Sequence, residues 1–192
     1  STRFPGKPLV DIAGKSMIQR VYEQASAASK LDQVLVATDD ERIFEHVEGF
    51  GGKVVMTDAA HPTGTDRILE IAGRKSAFDA YINIQGDEPY IAPAQIDQVA
   101  ELLQNGKGAF VATLVKRLPE TSELNNPNLI KAVFAQDGRA MYFSRSPIPY
   151  LRDPQALAQF QEAHGYFKHI GIYGYTQLGL IAIRDMARGE LE

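Results

Sequence analysis

Apolar residues along the chain follow two spacings, one typical of helices and the other of buried strands. In "GKSMIQRVYEQASAAS", apolar side chains recur at three- and four-residue intervals, which place them on one face of a helix. They are Met17, Ile18, Val21, Tyr22 and Ala25. The next apolar run, "QVLVAT", is short and contains β-branched residues, as buried strands do. The pattern therefore predicts a helix followed by a strand, which is half of an α/β unit.

The alternation of helix and strand continues as far as Val115. The predicted helices are "DERIFEHVEGFGG", "TDRILEIAGRK" and "PAQIDQVAELLQNG", and the predicted strands are "KVVMT", "AYINIQ" and "AFVATLV". Such alternation indicates a mostly parallel sheet with helices on both faces. Beyond it, "LIKAVFAQDGRAMYFS" predicts two strands across an Asp-Gly turn. We therefore expect an α/β fold with a mostly parallel sheet and an antiparallel excursion.

Composition narrows the class of protein. The 192 residues are 44% apolar, and no repeat or linker divides them, so we expect one domain over residues 1–192. The net charge of −4, with acids and bases interspersed, offers no basic face for nucleic acid. The absence of cysteine excludes disulfides and thiolate metal sites. The longest apolar stretch, "LGLIAI", is too short to span a bilayer, so we expect a cytoplasmic protein with no membrane partner.

Polar residues follow two of the predicted strands, at the points where ligands bind in open α/β sheets. "QVLVA" is followed by Thr38, Asp39 and Asp40, and "AYINI" is followed by "QGDEP". The two adjacent acids of "QGDEP", Asp87 and Glu88, suit a hard cation such as Mg²⁺. Each feature also has a structural alternative, with Asp40 as the N-cap of the next helix and "QGDEP" as a turn.

Two loops carry side chains that suit anionic or polar ligands. "STRFPGKPL" combines hydroxyls with Arg3 and Lys7, and its prolines stiffen a turn around a glycine that allows close approach to a ligand. "HPTGTDR" places hydroxyls, a glycine and Arg67 at the start of a helix, where phosphate oxygens bind well. The structural alternatives are an exposed turn for the first loop and, for the second, a helix cap supplied by Thr65 or Asp66.

Six segments of the chain, in order, resemble those of one enzyme family. They are "STRFPGKPL", "VATDD", "HPTGTDR", "NIQGDEP", "YFSRSPIP" and "HIGIYGY", and the family is the CMP-Kdo synthetases, or 3-deoxy-manno-octulosonate cytidylyltransferases. The resemblance implies a Rossmann-like nucleotidyltransferase fold and a homodimer. It also implies that CMP passes from CTP to the acid sugar Kdo with release of pyrophosphate, that Mg²⁺ is required, and that the product serves lipopolysaccharide biosynthesis.

The family's motifs imply roles for individual residues of this chain. The implied nucleotide-binding residues are Ser1, Arg3, Lys7, Gly64, Thr65, Arg67 and Gln85. Lys7 and Asp87 are the implied catalytic residues, with Lys7 beside the phosphates and Asp87 as the metal ligand. The implied sugar-acid residues are Gln85, Arg145, His169 and Tyr173. A guanidinium suits the carboxylate of Kdo because it forms two parallel hydrogen bonds with it.

Several alternatives stay open beside this resemblance. His169 and Tyr173 lie on one alternating face of "YFKHIGIYGY" and also fit a packed core. A sialic acid cytidylyltransferase is the second candidate enzyme, and a truncated, non-catalytic nucleotide-binding protein is the third possibility. Compared with the family, the 192 residues lack the first strand and a C-terminal part with a second metal-binding aspartate.

Overall fold

The computed structural model describes residues 6–74, 78–106, 108–119 and 121–186. The helices are α1 (Met17–Ser26), α2 (Glu41–Gly49), α3 (Gly64–Arg74), α4 (Pro93–Asn105), α5 (Leu157–Ala163) and α6 (Gln177–Asp185). The strands are β1 (Asp11–Ile12), β2 (Lys15–Ser16), β3 (Val36–Thr38), β4 (Val54–Met56), β5 (Ala80–Asn83), β6 (Val111–Arg117), β7 (Lys131–Phe134), β8 (Ala140–Ser144) and β9 (Phe167–Thr176). Short 3-10 turns cover Lys7–Leu9, Thr121–Glu123 and Pro154–Ala156.

The chain forms two compact units. Unit 1 comprises the chain up to Ala112 and from Ile172 onward, and unit 2 comprises Thr113–Gly171. The boundaries fall inside β6 and β9, which pair with each other. The expectation of one domain over residues 1–192 stays a prediction. No helix in the described ranges combines the length and apolar character needed to cross a membrane.

The alternating helices and strands of unit 1 agree with the apolar pattern. α1 begins after Ser16, whose hydroxyl accepts a hydrogen bond from the amide of Gln19 at 3.2 Å, as an N-cap does. Its buried side chains, Ile18, Val21 and Ala25, are among those that the spacing placed on one face. α2 and α4 likewise fall within the predicted helices, and α3 begins one residue before its predicted start. The structure therefore confirms these helices. They could be predicted because a strong apolar periodicity identifies a helix without knowledge of tertiary contacts.

The prediction of a mostly parallel sheet is not supported by the described pairings. β3 pairs with β4 in parallel, but β5 pairs antiparallel with the C-terminal end of β9 in unit 1. The α/β class is therefore confirmed, and the mixed strand directions correct its finer description. The physical reason is the path of the chain, which leaves unit 1 after Ala112 and returns along β9 in the opposite direction to β5.

Unit 1 packs closely where β9 meets α4. A Cβ at Gly174 would lie 2.5 Å from Val99 Cγ1 and 2.7 Å from Leu103 Cδ1, so only glycine fits there without a shift of these two side chains. Val99 is fully buried, as is Ile96 one turn earlier. This contact keeps the C-terminal half of β9 against α4 and sets the position of the tyrosines on either side of Gly174.

A cavity of about 490 Å³ lies within unit 1. Residues 34–37 and β5 line it, with side chains of α1, α3 and α4 around them. Among the described residues, β3 pairs only with β4 and β5 pairs only with β9, so each strand has one edge without a strand partner. All four residues of β5 are consequently only half-buried.

Unit 2 contains the predicted antiparallel excursion. β7 and β8 pair antiparallel across the Asp-Gly turn, which confirms the two strands expected from "LIKAVFAQDGRAMYFS". Lys131 of β7 also pairs with Lys168 of β9. The core of the unit is a cluster of Leu118, Leu124 and Tyr166, and the Tyr166 hydroxyl donates to the carbonyl of Pro149 at 2.8 Å.

Candidate active site

The strand ends of unit 1 carry the acidic residues that the sequence singled out. Asp39 comes directly after β3, and Asp87 lies four residues beyond the end of β5. Gln85 and Gly86 line the cavity together with Gly64 and Arg67 of α3. Two predicted residues after β5 therefore meet two predicted residues of "HPTGTDR" around one cavity. Asp39, after β3, reaches this group through its ion pair with Arg67.

Lys7 and Asp87 form an ion pair, with 2.6 Å between Lys7 Nζ and Asp87 Oδ2. The sequence did not predict this ion pair itself. The resemblance implied only that Lys7 lies beside the phosphates and that Asp87 binds the metal. Gly6 has φ of 76°, a value that favours glycine, and its carbonyl accepts from the amide of Leu9 at 2.8 Å. This turn holds the backbone of Lys7. The side chains of Lys7 and Asp87 are 39% and 45% exposed, so the pair contributes at most about 1 kcal/mol and exchanges partners readily.

Arg67 connects α3 to the ends of β3 and β4. Its Nη2 lies 3.0 Å from Asp39 Oδ2, and its Nη1 donates to the hydroxyl of Thr57. The Thr57 hydroxyl in turn donates to the carbonyl of Thr38 at 3.2 Å. Because the Arg67 side chain is only 19% exposed, these contacts fix its direction. The sequence identified Asp39 and Arg67 as separate candidates. It gave no signal that the Thr57 hydroxyl also contacts Arg67.

The N-terminus of α3 has a different cap from the one expected. The Thr63 hydroxyl accepts from the amide of Asp66 at 3.2 Å, and the Asp66 carboxylate accepts from the amide of Thr63 at 3.1 Å. This reciprocal arrangement is a capping box with Thr63 as the N-cap, so the expectation of a cap is wrong for Thr65 and right in part for Asp66, whose carboxylate completes the box. The Thr65 hydroxyl instead lies 3.3 Å from the Tyr175 hydroxyl. Thr65 is thereby left beside β9.

Gly64 lies close to the end of β5. A Cβ there would be 3.2 Å from the amide nitrogen of the Asn83 side chain, so a larger residue would crowd the strand end. Asn83 is also opposite Tyr173 in the register of β5 and β9. The first residue of α3 and the last of β5 are thus held together, with Tyr173 on the neighbouring strand.

Asp40 is the N-cap of α2, which was the structural alternative to a ligand-binding role. Its carboxylate accepts from the amide of Arg42 at 3.0 Å and caps α2. The Arg42 side chain, which also contacts this carboxylate, lowers the pKa of Asp40 to about 2. Asp40 is therefore the helix cap, whereas its neighbour Asp39 is paired with Arg67.

Gln85 and Tyr173 differ in their surroundings. Gln85 is exposed in the turn after β5, whose backbone is closed by a hydrogen bond from the Glu88 amide to the Gln85 carbonyl at 3.2 Å. Tyr173 is half-buried, and its ring stacks on that of Tyr175 with 6.4 Å between centroids. Burial, with a smaller effect of Tyr175, raises the pKa of Tyr173. Tyr173 is thus partly packed, in agreement with part of the alternative that it belongs to the core.

Arg145 and His169 are both in unit 2. Arg145 is exposed directly after β8, and its Nη1 donates to the carbonyl of Pro127 at 2.7 Å. In the part of the chain that the structure describes, no carboxylate pairs with its guanidinium. His169 Nε2 lies 2.8 Å from the Thr113 hydroxyl, and its ring meets Phe143 edge-on with 5.1 Å between centroids. Burial lowers the pKa of His169, which favours a neutral imidazole.

The residues present fit a divalent cation that is only partly held by protein. Within residues 6–74, 78–106, 108–119 and 121–186, no group of three His, Cys, Asp or Glu side chains forms a ready metal site. Asp87 is an exposed carboxylate whose described partner is the exchangeable ammonium of Lys7. Mg²⁺ is commonly bound through one or two carboxylates together with substrate phosphates and water. Ser1 and Arg3 lie outside the described residues.

Comparison with known proteins gives a consistent family. Residues 1–186 match the family model described as Cytidylyltransferase. A 3-deoxy-manno-octulosonate cytidylyltransferase from Thermodesulfovibrio yellowstonii is 48% identical over 184 residues, which are 92% of this chain and 71% of that protein. Another, from Marinobacter nauticus, is 50% identical over 184 residues, which are 91% of this chain and 70% of that protein.

A solved structure leads to the same family. It is a CMP:2-keto-3-deoxy-manno-octonic acid synthetase complexed with CTP, with a TM-score of 0.89 and 41% sequence identity. The match covers 99% of this chain and 75% of that one. Sequence and structure therefore agree over nearly all of the 192 residues. The chain belongs to the cytidylyltransferase family, within the group of 3-deoxy-manno-octulosonate cytidylyltransferases that its six motifs resemble.

Proposed function

We propose that this chain transfers CMP from CTP to Kdo and releases pyrophosphate, to supply activated Kdo for lipopolysaccharide biosynthesis. The observation that carries the proposal is the 48% and 50% identity, over nine-tenths of the chain, to proteins named for this activity. The mixed α/β unit with polar strand ends supports a Rossmann-like nucleotidyltransferase fold, in which ligands bind beyond the carboxyl ends of strands.

The proposed reaction needs positioning and charge neutralisation more than covalent chemistry by the protein. The anomeric hydroxyl of Kdo attacks the α-phosphorus of CTP, the bond from that phosphorus to the bridging oxygen breaks, and pyrophosphate leaves. The hydroxyl proton is released as the new bond forms. Lys7 suits the departing phosphates because its weak, exposed pair with Asp87 lets the ammonium change partners.

Asp87 is the proposed ligand of Mg²⁺. When bound, the ion offsets phosphate charge in the transition state. The protein's own part is to hold the carboxylate at the strand end, which the turn from Gln85 to Glu88 does through its backbone hydrogen bond. Release of Lys7 from Asp87 frees this carboxylate for the ion and the ammonium for the phosphates together. The same pair thus serves both proposed roles.

The nucleotide is proposed to contact Gly64, Thr65, Arg67 and Gln85. Arg67 supports this proposal because Asp39 and Thr57 fix its guanidinium at the ends of β3 and β4. Ser1 and Arg3 stay proposals from the family resemblance. We also propose that Arg145, His169, Tyr173 and Gln85 bind the sugar acid. Arg145 has the strongest chemical support, since its single described acceptor leaves four of five N–H donors for a carboxylate.

The function is tested by pyrophosphate release from CTP and Mg²⁺ with Kdo and sialic acid in parallel. We expect release with Kdo and none above background with sialic acid. The control reaction omits the sugar, so that CTP hydrolysis is measured separately. Release with sialic acid alone would indicate the second candidate enzyme, and CTP binding without release with either sugar would indicate a non-catalytic protein.

Asp87→Asn is expected to leave the fold intact and to lower turnover by roughly 10²–10³, the usual effect of losing one preorganised charged partner. Turnover is measured at saturating Mg²⁺. The matched control is Asp137→Asn, because an Asn-Gly turn replaces an Asp-Gly turn at the β7–β8 hairpin without penalty. An Asp87→Asn chain with the parent rate would refute the proposed role of this carboxylate.

Arg145→Lys is expected to raise KM for Kdo by more than about tenfold and to change KM for CTP little, because an ammonium cannot form the paired hydrogen bonds of a guanidinium. Arg139→Lys, an exposed arginine in the β7–β8 hairpin, is the matched control. Each KM is measured by varying one substrate at saturation of the other. Equal increases for the two substrates would contradict a role at the sugar carboxylate.

A homodimer is proposed on the basis of β8. Met141 and Tyr142 are 67% and 60% exposed on adjacent, opposite-facing positions, and β8 has one edge with no strand partner in the described chain. Exposed apolar strand edges favour association. Tyr142→Glu should shift the sedimentation coefficient from that of a dimer to that of a monomer, whereas Tyr90→Glu, at a still more exposed tyrosine of unit 1, should not. A parent chain that sediments as a monomer would reject the proposal.

A further inference from the structure

Lys131 is a fully buried lysine at the start of β7. Within the described residues no carboxylate pairs with it, which is unusual because a buried charge is costly unless its hydrogen bonds are satisfied. Its Nζ donates to the carbonyls of Asn126 at 2.8 Å, Leu129 at 3.0 Å and Arg145 at 2.8 Å. An ammonium has three N–H donors, and each has an acceptor here. Lys131 is therefore a fully satisfied cation that holds backbone rather than another side chain.

The three carbonyls belong to two separate segments of unit 2. Asn126 and Leu129 are in the loop before β7, and Arg145 follows β8. Lys131 thus ties the loop of residues 126–130 to the backbone of Arg145. The same loop supplies the Pro127 carbonyl, which accepts from Arg145 Nη1 at 2.7 Å. Both the backbone and the side chain of Arg145 are consequently placed by groups that Lys131 holds.

The loop also reaches the second proposed sugar-acid residue of unit 2. The carbonyl of Ile130 accepts from the amide of His169 at 2.8 Å. A displacement of residues 126–130 would therefore move the acceptor of the Arg145 side chain and the backbone partner of His169 together. These contacts do not involve unit 1, where the proposed nucleotide residues lie.

We infer that Lys131 is a positioning residue for the sugar acid: its ammonium fixes the loop of residues 126–130 and the backbone of Arg145, so that the guanidinium is presented to a carboxylate. The inference rests on the proposed function, in which Arg145 binds the carboxylate of Kdo. Hydrogen bonds from an ionised donor are stronger than neutral ones, which suits a clamp of three carbonyls. A shorter or neutral side chain cannot reach and satisfy all three.

The test compares Lys131→Gln and Lys131→Met with Lys168→Gln, a matched control because Lys168 is opposite Lys131 in the register of β7 and β9. We expect both Lys131 variants to raise KM for Kdo about tenfold while KM for CTP stays within about twofold, because only the unit 2 contacts change. Lys168→Gln should leave both values unchanged. Equal effects on the two substrates, or loss of the folded state in both Lys131 variants, would assign Lys131 a general structural role and overturn the inference.

A double-mutant cycle tests whether Lys131 acts through Arg145. In the Arg145→Lys background, Lys131→Gln should raise KM for Kdo by less than about twofold, since the guanidinium that it places is already absent. A further tenfold increase would show independent action and refute the inference.

A crystal structure of Lys131→Gln supplies a readout that does not need activity. Loss of the hydrogen bond between Arg145 Nη1 and the Pro127 carbonyl is expected, and an unchanged bond would overturn the inference. If the parent chain forms no CMP-Kdo, the proposed function fails, and this structural result still decides whether Lys131 positions Arg145.

Discussion

The register of β9 is the constraint on which the proposed site depends. In unit 1, β9 pairs with β5 so that Tyr173 is opposite Asn83. In unit 2, Lys168 of the same strand is opposite Lys131. A shift of one residue would turn every side chain of β9 to the other face, and His169 and Tyr173 would leave their positions together. The close contact of Gly174 with Val99 and Leu103 opposes such a shift, because the neighbouring residues have side chains that would not fit.

The sequence predicts the parts of this protein that depend on local pattern. The four helices and the strands between them follow from apolar spacing, and Asp40 was an expected helix cap. Pairing directions could not be predicted in this way, because they depend on the path of the chain through unit 2 and back along β9. The hairpin of β1 and β2 was also missed, since its strands of two residues are too short for a periodic signal.

The candidate site also has parts that the sequence predicts and parts that only the structure shows. The motifs identify Lys7, Asp87 and Arg67, and geometry then adds what no spacing contains: the pair of Lys7 with Asp87, and Thr57 beneath Arg67. Lys131 shows the limit most clearly, because a lysine in a strand gives no sequence signal that it is buried. Lys7 and Lys131 thus differ in burial and in how firmly their ammonium groups are held. Lys7 is exposed and free to exchange partners, whereas Lys131 is enclosed by carbonyls that fix it.

The free edges of β3 and β5 have a consequence for the behaviour of this chain in concentrated solution. Each edge presents a row of backbone donors and acceptors beside an apolar cavity, and within the described residues no strand covers either. Backbone groups in this state pair readily with an extended segment of another molecule, without regard to its sequence. The short length of these edges, three residues in β3 and four in β5, limits how many such hydrogen bonds another molecule can form.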